Sequence, residues 1–116
     1  MQMIIEETVV PVIWESNASV AALRETVARA PIVVRASKYG GFEQVGALGR
    51  SLPIDDRHTT TKPGDIMLYS GNQLVVFFGS NSWSYTPLGR VDLPSKELAA
   101  LLNKARVEIT LAPSEG

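Results

Sequence analysis

The 116-residue chain has no cysteine, a single histidine and no two adjacent basic residues. Without cysteine, a disulfide scaffold, a thiolate metal site and a cysteine nucleophile are all excluded. Nucleic-acid binding needs clustered lysine and arginine to displace counterions, and the scattered cations here provide no such cluster. Apolar runs such as Leu74–Phe78 fall far short of the ~20 residues of a membrane span, so neither a nucleic acid nor a membrane is expected as a partner. The first residues carry Glu6, Glu7 and Glu15 and no basic segment, which argues against a secretory signal and makes the cytoplasm the expected setting. Asn17-Ala18-Ser19 matches a glycosylation sequon but has no secretory context.

What is present is unevenly placed. The 11 basic and 12 acidic side chains leave a formal net charge of −1, and length and composition fit one domain over residues 1–116. Eight of the nine glycines fall between Gly40 and Gly89, and seven of the eight aromatics between Tyr39 and Tyr85. That segment is therefore where close backbone approach and large contact area coincide.

Met3–Trp14 reads as two short strands broken at Glu6-Glu7-Thr8, with Pro11 at an edge or strand start. Asn17 is placed to cap a helix carrying Val20, Leu23 and Val27, with Glu25 and Arg29 four apart in the favourable order and Pro31 as the stop. Ile32–Arg35 is a β-branched strand. Tyr39-Gly40-Gly41 is a turn, and Glu43–Leu48 a strand whose Gly46 admits close approach by other backbone. Ser51–Pro63 reads as a long polar loop. Ile66–Tyr69, a Gly71-Asn72 turn and Leu74–Phe78 form a hairpin whose second strand is apolar on both faces, so each face must be covered. Gly79–Pro87 reads as a loop and Leu88–Asp92 as a short strand. Leu98, Leu101, Leu102 and Ala105 mark a second helix with Ser95 as its cap, and Val107, Ile109 and Leu111 a closing strand. About eight strands and two helices predict a mainly β protein: a closed barrel capped by two α-helices. A two-layer α+β sheet with both helices on one face is the alternative.

Three ordered blocks carry a resemblance: Tyr39-Gly40-Gly41-Phe42-Glu43-Gln44-Val45-Gly46 through Leu48-Gly49-Arg50-Ser51-Leu52-Pro53; Lys62-Pro63-Gly64-Asp65-Ile66-Met67-Leu68-Tyr69 with Gly71-Asn72-Gln73; and Val75–Tyr85 ending in Leu88-Gly89-Arg90-Val91. In this order they resemble the bacterial cyclophilin-like domain family of uncharacterised proteins. The resemblance implies a closed cyclophilin-type barrel with two capping helices and no settled activity. True cyclophilins isomerise X–Pro bonds with an arginine in a Phe-His-Arg-Val strand. The corresponding stretch here reads Phe42-Glu43-Gln44-Val45, and the Gln-Gly-Gly-Asp continuation is absent. Isomerase activity is therefore not implied by the fold.

The candidate ligand-binding residues are Tyr39, Glu43, Arg50, Asn81, Trp83 and Tyr85. Asn81-Ser82-Trp83-Ser84-Tyr85 alternates large aromatics with small polar groups, suited to holding a ring, a sugar or a peptide. The competing reading has Trp83 and Tyr85 plug a barrel mouth while Asn81 bonds loop backbone. Arg50 can grip a carboxylate or phosphate, or pair with Glu43 or Asp65. Glu43 is a general base if aromatics desolvate it, and otherwise a surface glutamate. Asp55, Asp56 and His58 are too few and too poorly disposed for a metal, and no elbow motif marks Ser82 or Ser84 as a nucleophile. No metal and no cofactor are expected. The reading is a binding module for a small molecule or peptide, monomeric or weakly self-associating, with a divergent prolyl isomerase as the alternative.

Overall fold

The computed structural model describes residues 1–114. Asn17 begins helix α1 (Ala18–Arg29): its Oδ1 accepts a hydrogen bond from the Val20 amide at 2.9 Å, satisfying one of the helix's free donors. Its Nδ2 donates to the Pro87 carbonyl at 2.8 Å, so the same side chain ties the helix to the sheet. Val20, Leu23 and Val27 are buried along one face. Helix α2 (Ser95–Leu102) starts differently from expectation. Pro94 occupies the cap position, no side chain caps it, and Ser95 is the first helical residue. Glu25 and Arg29 form no ion pair; those among the described residues join Arg57 to Asp55 and Arg90 to Asp92.

The strands are β1 (Gln2–Ile5), β2 (Thr8–Val10), β3 (Val12–Trp14), β4 (Ile32–Tyr39) and β5 (Glu43–Ala47). They continue with β6 (Arg57–Thr60), β7 (Asp65–Tyr69), β8 (Gln73–Phe77), β9 (Ser82–Val91) and β10 (Arg106–Ala112). All pairs are antiparallel, in the order β2-β1-β10-β4-β5-β8-β7-β9-β3, with β6 added on β9. The two ends of this path, β2 and β3, are consecutive in the chain with only Pro11 between them. One extended segment thus bends at Pro11 and serves both ends of a nearly closed, barrel-shaped sheet. Proline suits the corner because it has no N–H to leave unpaired, while its carbonyl accepts the Asp92 amide at 2.8 Å.

The ten strands exceed the expected eight or so for identifiable reasons. Met3–Trp14 holds three short strands, not two. The polar stretch read as one loop contains β6, and Gly79–Pro87 is largely the first half of β9. Pro87 hid that continuity. It lies at a bulge where the register against β7 shifts between Ile66 and Met67, the setting in which a strand tolerates a proline.

The interior is filled by Ile66 and Leu68 from β7, Leu74 and Val76 from β8, and Ile109 and Leu111 from β10, covered by the apolar faces of both helices. Gln44 points among them: its Nε2 donates to the Leu102 and Lys104 carbonyls at 2.8 and 2.6 Å, occupying acceptors at the end of α2. Gly46 allows the barrel to tighten here. A Cβ at that position would stand 2.6 Å from Val34 Cγ1 and 2.9 Å from the Arg35 carbonyl oxygen. Gly46→Ala is expected to cost about 1–3 kcal/mol through overpacking, read as a lower midpoint in urea unfolding. An unchanged midpoint would contradict this packing.

Candidate functional site

The alternation that fills the barrel with Leu74 and Val76 sends Val75 and Phe77 to its outer face. These apolar side chains need cover, and among the described residues none of those packed against them comes from a helix. A second hydrophobic cluster supplies it: Met67, Val75, Phe77 and Tyr85, with Phe42 and Val45 packed against them. The rings form a connected series. Tyr39 meets Phe42 edge-on at 6.1 Å, Phe42 lies parallel to Phe77 at 6.4 Å, and Tyr85 meets Phe77 at 5.5 Å and Tyr69 at 6.2 Å, both edge-on.

Above this cluster lies a cleft of about 780 Å³, lined by aromatics from β4, β7, β9 and the β4–β5 turn and by Glu43, within the size range of small-molecule sites. Its floor is set by the register. Tyr39, Glu43 and Phe77 face one another in successive strands β4, β5 and β8. Phe42 is held over the floor because its carbonyl accepts the Phe78 and Gly79 amides at 3.0 and 2.9 Å. The wall is the β6–β9 ribbon, where Trp83 pairs with Thr59 and Tyr85 with Arg57. Its end is fastened by reciprocal hydrogen bonds between the residues flanking the two strands. Thr61 donates from its amide and its hydroxyl to the Asn81 carbonyl, and the Asn81 amide donates to Thr61 Oγ1 at 2.9 Å. Asn81 Nδ2 donates to Tyr85 Oη at 2.9 Å and fixes that hydroxyl within the cleft.

Five of the six expected residues meet here: Tyr39, Glu43, Asn81, Trp83 and Tyr85. Arg50 does not. It is exposed outside the lining and pairs with neither Glu43 nor Asp65. Trp83 plugs no barrel mouth; it stands 56% exposed at the rim. Phe42, Val45 and Tyr69 also line the cleft, beyond the residues expected from the sequence. The signal for Tyr69 was available, since Met67 and Tyr69 alternate with the inward Ile66 and Leu68.

Glu43 is the electrostatic centre. It is only 6% exposed, and burial alone raises its pKa from 4.5 to about 7. No cation pairs with it among the described residues. The Tyr85 hydroxyl is also pushed up, first by burial, against the opposing effect of the Asn81 hydrogen bond and with a lesser upward contribution from the neighbouring Glu43. A carboxyl tuned to neutrality can exchange a proton with a ligand or receive a positive charge.

The other sequence candidates are engaged elsewhere. Asp55 pairs with Arg57 at 2.9 Å, and Asp56 Oδ1 accepts from Thr86 Oγ1 at 2.6 Å. His58 lies exposed on β6 opposite Ser84. Among the described residues no three histidines or carboxylates come together as metal ligands. Among the described residues no helix is long and apolar enough to cross a membrane.

The profile of the cyclophilin-like family matches residues 3–112, nearly the whole chain, and the protein belongs to that family. No match is found among curated proteins or among solved structures.

Proposed function

We propose that this member of the cyclophilin-like family is a binding module, and that the outer cleft between β5 and the β6–β9 ribbon receives a small molecule or a peptide side chain. The observation that carries this reading is the combination of an open aromatic cleft with a buried carboxyl that no cation among the described residues neutralises. Folding alone would favour an apolar side chain at position 43, because an uncompensated buried carboxyl opposes stability. Rigid strands on both sides give the cleft a fixed shape before a ligand arrives, which lowers the cost of binding.

Prolyl isomerisation is the alternative that the family brings. Against it, no arginine lines the cleft to donate to a twisting amide, and Arg50 lies outside it. Two measurements separate the readings. In a Trp14→Phe background, titration with benzyl alcohol and with an Ala-Pro-Phe peptide is expected to change Trp83 emission saturably. Tyr85→Ala is expected to weaken that response about tenfold or more, as loss of a buried aromatic contact does. In a protease-coupled assay on the same peptide, wild type and Arg50→Ala are both expected at the uncatalysed rate. Acceleration by the wild type would replace the binding reading with the isomerase one, and no response of Trp83 to either compound would remove the binding reading.

A further inference from the structure

We infer that the cleft selects organic cations: an ammonium group carried on an apolar or aromatic body, its charge against Glu43 and its body against the rings. This rests on the cleft being a ligand site and names the chemistry of what enters it.

Three observations converge. First, Glu43 is the sole formally charged side chain in the lining, and no lysine, arginine or histidine among the described residues accompanies it. An anionic ligand would therefore meet repulsion without any compensating cation. Second, the walls are the faces and edges of Tyr39, Phe42, Tyr69, Trp83 and Tyr85. Ring faces carry negative quadrupole charge, so a cation within about 6 Å of several of them is attracted, most strongly where water is excluded. Third, the titratable groups that share the cleft with Glu43 are the tyrosines Tyr39, Tyr69 and Tyr85, of which Tyr85 interacts with it directly; their hydroxyls can hydrogen-bond a ligand but cannot cancel the carboxylate.

The geometry also separates this class from its neighbours. A neutral apolar ligand would dehydrate the carboxyl further and give it no partner, which is unfavourable. A metal ion needs several oxygen or nitrogen ligands, and no second carboxylate or histidine lines the cleft. An organic ammonium needs one carboxylate and an apolar surround, and these are what the cleft contains. The volume of about 780 Å³ accommodates a benzyl-sized cation with room to spare.

Burial holds part of the Glu43 population protonated at neutral pH, and a bound cation would release that proton. Affinity for a cation of fixed charge is then expected to rise with pH until Glu43 is fully ionised, and to level off above that.

The test is calorimetry with benzyltrimethylammonium, benzyl alcohol and benzoate on the wild-type protein and on Glu43→Gln, with amide spectra verifying that the variant is folded. At pH 8 the wild type is expected to bind the ammonium about tenfold or more tighter than the alcohol, and benzoate most weakly. Between pH 6 and pH 8 its affinity for the ammonium is expected to rise about tenfold, following the ionised fraction of Glu43. In Glu43→Gln both the preference and the pH dependence are expected to vanish while benzyl alcohol still binds. Equal binding of ammonium and alcohol by the wild type would overturn the cation selectivity and leave the ligand site standing. Failure of every compound to bind would overturn both.

Discussion

Phe77→Ala is expected to cost about 3–5 kcal/mol of folding stability, the range for emptying a fully buried aromatic site. The magnitude is informative because Phe77 points out of the barrel, not into it. Its ring has no exposed surface, lies parallel to Phe42 at 6.4 Å and meets Tyr85 edge-on at 5.5 Å. The outer cluster is thus a true second core, with aromatic contacts that add to the burial itself. Urea unfolding of wild type and variant measures the difference. A loss below about 1 kcal/mol, typical of surface positions, would mean that the barrel interior alone maintains the sheet and that the cleft floor is not a rigid platform.

Glu43→Gln is expected to stabilise the protein at pH 8 and to leave it nearly unchanged at pH 4. The carboxyl has an ordinary value of 4.5 and is raised to about 7 by burial in the folded protein. Between these values the unfolded chain has released the proton while the folded protein still holds it. Stability therefore falls as pH rises through that window and is constant above it. Glutamine has nearly the same shape and no proton to lose, so its stability lacks this decline. The full difference is on the order of 3 kcal/mol from the size of the shift. In a domain of this length that corresponds to a melting temperature roughly 10 °C higher. Thermal unfolding at pH 4, 6 and 8 measures it. Parallel curves for the two proteins would show that Glu43 is well solvated.

Much of the architecture was legible because local chemistry and global packing agree. Asn17 caps where its side chain can accept an amide, the β7–β8 hairpin follows its alternation and turn, and Gly46 stands where neighbouring strands crowd. Elsewhere a single residue masks the pattern around it. Pro87 and the serines around Trp83 suggested a loop, yet Trp83 and Tyr85 keep a two-residue period and belong to one long strand. Arg57–Thr60 is polar and exposed along most of its length, so its pairing with β9 has no hydrophobic signature to read.

The site was legible in part for the same reason. β8 announces through Val75 and Phe77 that its outer face needs cover, and Tyr39, Glu43, Asn81, Trp83 and Tyr85 are near enough to meet there. Which loop residues remain outside depends on backbone path. The left-handed Gly49 and the anchoring of Leu48 and Leu52 to the Gly71-Asn72 turn hold the Arg50 segment away from the lining. That arrangement is long-range, and nothing in the immediate neighbourhood of Arg50 encodes it.

The most direct measurement is the titration of the Glu43 side-chain carboxyl by carbon NMR, in the free protein and with saturating benzyltrimethylammonium. The free protein is expected to show a midpoint near 7, set by burial without a counter-ion. With the cation bound, the midpoint is expected to fall by at least about one pH unit, because the charged form then has its partner. A free midpoint near 4.5 would contradict the account of the cleft as a site built around a desolvated carboxylate, and an unmoved midpoint with the cation bound would contradict its role in holding one.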